Sequence, residues 1–300
     1  MDELFDTSKS VLQELEHSLF AERNCRVFVK RDDLIDPEVS GNKWRKLKYY
    51  IEQAVFLKKD GMVTVGGAFS NHLLATAAAC HKAGIRSIGV VRGEELNAES
   101  NPNLKRCTEL GMELEFISRL DYADRNQDWF KEDLLEKHRN FLFVPEGGSG
   151  YHGLIGCQEL VKELPVEAGH IFVAQGTCTT SAGMLLGITG ETKLHCVPVL
   201  KGFDSEKEMW PLLYSFLIDK DEVSETLKNA RFHTDHHFGG YGKWNEELLS
   251  FISFCNRELH LPLDKVYTAK AFKALFDFVI SGEADNSTVV FIHTGGLFNA

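Results

Sequence analysis

The chain has 300 residues, 43% hydrophobic and 26% charged, an ordinary globular composition long enough for one large domain or two smaller ones sharing a cleft. Its 33 basic and 44 acidic residues give a net charge of −11 with no basic block, which argues against a nucleic-acid or anionic-membrane surface. The seven cysteines (Cys25, Cys80, Cys107, Cys157, Cys178, Cys196, Cys255) are odd in number and form no C-x-x-C pair, so neither a disulfide framework nor a thiolate zinc site is expected and a reducing cytoplasm fits.

Met1 to Ser10 carries acidic residues where a signal peptide needs a positive start and an apolar run, and no stretch approaches about 18 apolar residues, so neither secretion nor a membrane span is expected. Strands are predicted at Arg26–Lys30, Met62–Val65, Ser87–Val91, Glu113–Ile117, Phe141–Val144, His170–Ala174, Leu194–Val199 and Thr288–His293, each short and rich in Val, Ile or Phe. Helical patterns lie between them at Asn42–Leu57, His72–Lys82 (stopped by Gly84), Ser181–Gly187 and Ala269–Ile280. Such alternation predicts an α/β fold with parallel sheets, whose ligands sit at the carboxyl ends of the strands. No internal repeat, low-complexity tract or Pro-rich linker interrupts it.

Three segments at those ends carry candidate chemistry. In Val39-Ser40-Gly41-Asn42-Lys43-Trp44-Arg45-Lys46-Leu47 a Gly-Asn junction puts Lys43 in the first turn of a helix. Positive charge there opposes the helix macrodipole, and the same field lowers the amine's pKa, as a Schiff-base lysine requires. The bland alternative is a solvated lysine among Arg45, Lys46 and Lys48. In Gly66-Gly67-Ala68-Phe69-Ser70-Asn71-His72 two glycines admit close backbone approach, and Ser70 and Asn71 stand where a helix begins. Either could simply cap that helix. In Gln175-Gly176-Thr177-Cys178-Thr179-Thr180-Ser181-Ala182-Gly183, N–H groups and hydroxyls gather at a helix start, a site for a phosphate.

Two other patterns point elsewhere. Gly148-Ser149-Gly150-Tyr151-His152-Gly153 matches a dinucleotide fingerprint, but the acidic residue expected about 20 positions on is missing from Phe172-Val173-Ala174-Gln175. His233, His236 and His237 lack a carboxylate or Cys to complete a metal set, so no metal is expected.

Taken in order, these segments resemble the family of 1-aminocyclopropane-1-carboxylate deaminases and D-cysteine desulfhydrases, fold type II pyridoxal-phosphate enzymes with a tryptophan synthase beta-like architecture. Val29-Lys30-Arg31-Asp32-Asp33, Gly41 to Leu47, Ser70-Asn71-His72, the Thr/Ser loop, Tyr241-Gly242, Val266-Tyr267-Thr268 and Phe291-Ile292-His293-Thr294-Gly295-Gly296 carry the resemblance. It implies pyridoxal 5'-phosphate in a cleft between two open, parallel-rich α/β domains, a large one from residues 1–49 and 153–300 and a small one from residues 50–152. Lys43 would hold the cofactor covalently, Asn71 would bond its phenolic oxygen, and Thr177, Cys178, Thr179 and Thr180 would hold its phosphate. Ser70 would face the substrate carboxylate or act as an accessory nucleophile, Tyr241 and Tyr267 would flank the reacting carbons, and Thr268 or Thr294 would face the pyridine nitrogen. Family members also suggest a homodimer acting on a small amino acid.

Departures from the family pattern bear on the substrate. Where the cyclopropane deaminases carry a glutamate after the second tyrosine this chain has Thr268, as the desulfhydrases do. A hydroxyl leaves the ring a weaker electron sink than a carboxylate does, which suits β-elimination, since the thiolate carries charge away. Cys178 and Ala269 replace glycines usual in the family. The expected reaction is D-cysteine to pyruvate, ammonia and sulfide. Ring-opening deamination and a non-catalytic phosphate-binding module are the alternatives.

Overall fold

The computed structural model describes residues 4–39 and 41–297; Ser40, in the first candidate segment, lies outside them. In chain order the elements are β1 (Leu12–Leu15), α1 (Ser18–Glu22), β2 (Arg26–Lys30), α2 (Asn42–Phe56), β3 (Gly61–Gly67), α3 (Asn71–Ala83), β4 (Arg86–Arg92), α4 (Pro102–Glu109), β5 (Met112–Ile117), α5 (Arg119–Ala123), α6 (Asp128–Lys137), β6 (Phe141–Val144) and α7 (Tyr151–Lys162). There follow β7 (His170–Gln175), α8 (Thr179–Gly187), β8 (Lys193–Pro198), α9 (Ser205–Leu217), α10 (Lys220–Leu227), β9 (Ala230–Phe232), α11 (Glu246–Glu258), α12 (Thr268–Ile280) and β10 (Thr288–Ile292).

The strands form two sheets, one of order β1-β2-β10-β7-β8-β9 and one of order β5-β4-β3-β6. Every pairing is parallel except β1 with β2. The parallel strands read as continuous apolar runs because helices cover both faces. Residues Met62, Val63 and Val65 of β3 and Val289 to Ile292 of β10 are fully buried. The eight predicted strands all form, with ends shifted by a residue or two. Strands β1 and β9 had not been anticipated, because edge segments of four and three residues are too short to show a period. Among the described residues no helix is long and apolar enough to cross a membrane.

Two features bring the candidate segments together. Gly41 caps α2 at φ 62°, and a Cβ there would lie 1.9 Å from the Thr294 carbonyl oxygen. Only glycine lets the start of α2 rest on the chain leaving β10. Arg45, one helix position past Trp44, is buried and bonds the Asp32 carboxylate at 2.6 and 2.8 Å and Glu163 at 2.7 and 2.8 Å. This fully paired cluster, buried except for the partly exposed Glu163, ties α2 to the end of β2 and to α7.

Candidate active site

A cavity of about 880 Å³ opens where the carboxyl ends of β3, β7 and β10 face one another, with Lys43, Ser70, Asn71, Thr177, Cys178, Thr180, Tyr241, Tyr267 and Thr294 among its lining residues. Lys43 is the second residue of α2 and reaches the cavity from its floor. Its one hydrogen bond among the described residues is a donation to Asn42 Oδ1 at 3.1 Å. Burial, then the neighbouring charge of Lys46, pushes its pKa down to about 7. An amine so tuned is substantially neutral near pH 7, hence a nucleophile.

Lys46, one turn further along α2, lines the same cavity while only 4% exposed. Burial lowers its pKa, and no carboxylate pairs with it among the described residues. A buried ammonium without a counter-ion is costly, so its position calls for an anion. Beside it stands the amino end of α8. Thr179 and Ala182 donate their N–H groups to Thr177 O and Cys178 O, both at 2.8 Å. The N–H groups of Thr180 and Ser181 find no acceptor among the described residues and, like all first-turn donors, have none within the helix. Asn42 Nδ2 donates to Thr180 Oγ1 at 2.6 Å, coupling this turn to the residue before Lys43. Thr179 does not reach the cavity. It is fully buried, and its methyl group lies where a Cβ on Gly153 of α7 would approach to 2.9 Å. Cys178 holds the turn at φ 59°, in the left-handed region.

At the start of α3, Ser70 is the N-cap, its Oγ accepting from His72 N at 3.2 Å and Leu73 N at 3.4 Å. The capping alternative is thus what the backbone displays, and Ser70 and Asn71 line the cavity as well. His72 bonds Thr64 Oγ1 through Nε2 at 2.9 Å, and Thr64 donates onward to Val144 O at 2.7 Å. Since Thr64 has given its proton to Val144, Nε2 carries the imidazole proton. Burial and the charges of Lys43 and Lys46 keep this ring neutral, far below its ordinary pKa.

The opposite wall carries Tyr241 on the loop after β9 and Tyr267 at the N-cap of α12, ring centroids 6.0 Å apart and nearly perpendicular. Burial, reinforced by the neighbouring Tyr241, raises the Tyr267 phenol well above its ordinary pKa. Thr268 is not brought to the cavity. Fully buried, it donates from Oγ1 to Asp264 Oδ2 at 2.6 Å and accepts from Asp264 N at 2.8 Å, so its hydroxyl is saturated. Thr294 lines the cavity instead. Asp264 accepts Val266 N and Tyr267 N on one oxygen and Thr268 N on the other, each at 2.8 Å.

A family model described as pyridoxal-phosphate dependent enzyme matches residues 12–295. The chain belongs to that family. A Pyrococcus abyssi (strain GE5 / Orsay) protein named "Putative 1-aminocyclopropane-1-carboxylate deaminase" is 32% identical over 287 residues, spanning 90% of this chain and 84% of that one. The D-cysteine desulfhydrase of Yersinia pestis (strain Pestoides F) is 27% identical over 286 residues, covering 90% of this chain and 86% of that one. A solved structure titled as an ACC deaminase homologue superposes with a TM-score of 0.78 at 28% identity, over 96% of this chain and 90% of that one. The fold is fold type II, and the protein is a pyridoxal-phosphate-dependent enzyme. Its residues suit that group: a tuned amine at Lys43 for an aldehyde, and an unpaired buried Lys46 beside two acceptor-free N–H groups for a phosphate.

Lys46 and Ser181 face the cavity without having been singled out from the sequence, and Asp264 stands behind it unremarked. The signal for Lys46 was its spacing of three from Lys43 on one helix face. Nothing local marks Asp264, whose role depends on how the turn into α12 folds. The Gly148–Gly153 stretch lines the cavity through Ser149, as does the preceding Gly147, and lets α7 pack closely on its own loop, with a Cβ on Gly153 lying 2.1 Å from Gly148 O. Of the three histidines, His233 bonds His195 at 2.7 Å, His236 faces Asp277 at 3.1 Å with its ring 5.9 Å from that of His233, and His237 Nδ1 accepts Gly239 N at 3.0 Å.

Proposed function

We propose that this enzyme catalyses β-elimination from a small amino acid in the manner of a D-cysteine desulfhydrase, releasing pyruvate, ammonia and sulfide. The observation that carries this reading is that Thr294, a hydroxyl, lines the wall where α12 and β10 meet the cavity, while the carboxylate there, Asp264, is turned away and committed to four donors. Bound pyridoxal phosphate supplies an electron-withdrawing ring at the substrate's α-carbon. Thr294 would face the ring nitrogen in place of a carboxylate, which would keep that withdrawal moderate and favour a leaving group that departs with the charge.

In this reading Lys43 would hold the cofactor's aldehyde and its amine, tuned to about 7, would serve as the base for the α-proton. Lys46, the N–H groups of Thr180 and Ser181 and the hydroxyls of Thr177 and Thr180 would hold the phosphate, with Cys178 shaping the turn. Asn71 bonds the phenolic oxygen, Ser70 lies toward the substrate carboxylate, and Tyr241 and Tyr267 close over the reacting carbons. Residues 50–152 are proposed to form the smaller domain, carrying Ser70 and Asn71 to a site whose other parts lie in the larger one.

Ring opening of 1-aminocyclopropane-1-carboxylate is the competing reading, favoured by the name of the Pyrococcus abyssi relative. The test is to incubate the purified enzyme separately with D-cysteine, L-cysteine and the cyclopropane amino acid, measuring sulfide, pyruvate and 2-oxobutanoate. Faster sulfide release from D-cysteine is expected. Faster 2-oxobutanoate formation would overturn the assignment while leaving the cofactor and Lys43 in place.

A further inference from the structure

Lys270 is fully buried on α12, one turn beyond Tyr267, and lines no part of the cavity. Among the described residues it has no ion pair; its bond is a donation from Nζ to the carbonyl oxygen of Gly240 at 2.8 Å. A methionine would reach as far and fill the same space without burying an ammonium, which burial penalises heavily. The carbonyl it holds belongs to the peptide that joins Gly240 to Tyr241.

That peptide lies in an unusual stretch. Phe238, Gly239, Gly240 and Gly242 all have positive φ, at 49°, 94°, 111° and 63°. Three glycines around one tyrosine give the backbone the most conformations to lose on ordering. Tyr241 itself is 55% exposed and meets Tyr267 at the cavity wall, so packing does little to fix it. Upstream the loop is fastened through His233 to β8 at 2.7 Å and through His236 to Asp277 of α12 at 3.1 Å. Next to the tyrosine, the tie to α12 is Lys270.

We propose that Lys270 is a positioning residue: by holding the Gly240 carbonyl from the same helix that starts at Tyr267, it sets Tyr241 against Tyr267. Burial lowers the lysine's pKa to about 8, so near neutrality it donates as an ammonium, which strengthens the bond. The inference rests on the reading that Tyr241 faces the reacting carbons, and the experiment separates the two.

The experiment is a mutant cycle of Lys270→Met, Tyr241→Phe and the double variant in cofactor-loaded enzyme. Each is assayed with whichever of D-cysteine and 1-aminocyclopropane-1-carboxylate the wild type turns over faster, and amide exchange is followed at residues 238–243. Lys270→Met is expected to leave cofactor affinity unchanged, lower kcat about ten- to a hundredfold through misplacement of a contact group, and speed exchange at Gly240 and Lys243, whose N–H groups bond His237 O and Gly240 O at 3.0 and 3.1 Å. Added to Tyr241→Phe it should cost less than about twofold more, because contacts acting through one group are not additive. An equal cost in both backgrounds, or exchange that quickens along all of α12 and not in the loop, overturns the proposal. If Tyr241→Phe alone is fully active, the placement of Tyr241 in the chemistry fails, and the exchange result alone decides whether Lys270 holds the loop. Lys270→Gln, a shorter neutral donor, is judged by the same criteria should the methionine variant not fold.

Discussion

At the end of the cleft proposed for the phosphate, four of the groups facing the cavity belong to helices: Lys43 and Lys46 on α2, Thr180 and Ser181 on α8, the last three buried and the two helices joined by the Asn42–Thr180 bond. At the tyrosine end, beside Tyr267 and Thr294, the cavity is faced by Tyr241, a phenol on a loop of positive-φ residues and more than half exposed. The first wall combines helix-borne lysines with main-chain N–H groups and costs a buried charge; the second rests on a glycine-rich loop and costs loop entropy. The contrast fits a cofactor that stays and a substrate that comes and goes: the permanent anion meets a preorganised cradle, and the transient ligand meets a wall able to adjust.

The harshest way to break the cradle is Lys43→Ala. Turnover should fall by roughly a thousandfold or more, the range for loss of a general base, and borohydride should no longer fix the cofactor to the chain. Mass spectrometry of the reduced protein checks this, and a label retained on another lysine would show that Lys43 is not the anchor.

Lys46→Met tests the buried charge with opposite signs in two states. Without cofactor the variant should be more stable than wild type, since an unpaired buried ammonium has gone. With cofactor it should bind more weakly by about 1.5–3 kcal/mol, the worth of a hydrogen bond to a charged group. Thermal melts of both forms and a spectroscopic cofactor titration read the two effects. A pH series sharpens the same point. The folded-state pKa of Lys43 is about 7 against an ordinary 10.5, so between those values the unfolded chain binds more protons than the folded one. Stability of the cofactor-free protein should therefore rise with pH across that window, the penalty being full below pH 7. Lys43→Met should flatten the rise, and denaturant melts at several pH values would reveal a slope that persists.

Among the hydroxyls, Thr177→Val and Thr180→Val should each weaken cofactor binding by about 1–2 kcal/mol. Thr180→Val should also lower the stability of the empty protein more than Thr177→Val does, because it removes the buried 2.6 Å acceptor of Asn42 Nδ2, whereas Thr177 gives up a longer contact of 3.3 Å with Thr179 Oγ1. Equal affinities in the double variant and the wild type would remove this turn from the phosphate site.

The strands and the helix starts that carry the cradle were legible in the sequence because both are local, though Lys46 and Ser181 were not singled out. Short apolar strands declare parallel pairing, and a glycine or hydroxyl before an apolar run declares a helix start, so Lys43, Ser70, Asn71, Thr177 and Thr180 could be placed at the cavity from spacing and resemblance. What depends on tertiary turns could not. Thr268 precedes a helix and reads as available, yet the preceding turn folds Asp264 onto its hydroxyl at 2.6 Å. Thr179 reads like its neighbours, yet the helix turns it toward α7. Lys270 reads as one more lysine of an amphipathic helix, and only the path of the loop after β9 shows that its ammonium is buried on a carbonyl.

The smallest effect concerns the turn that joins the cradle's strand to its helix. Cys178 sits at φ 59° and is 2% exposed, a conformation that costs an ordinary L-residue about 1–2 kcal/mol. Glycine removes that strain, but it adds about 0.5–1 kcal/mol of unfolded-chain freedom and gives up the contacts of a buried thiol, worth about 1 kcal/mol by area. These terms nearly cancel, so Cys178→Gly should change stability by less than about 1 kcal/mol and leave cofactor affinity within about twofold. Valine presents the opposite case, because a β-branched residue is a true outlier in this region. Cys178→Val should cost about 1–3 kcal/mol and weaken cofactor binding as well, since relieving the strain rotates the N–H groups of Thr180 and Ser181 away from the phosphate position. Urea melts with a cofactor titration on the two variants decide it. Equal stability and affinity for valine and glycine would mean that residue 178 is not held left-handed, and the rigid half of the comparison would lose the turn on which it depends.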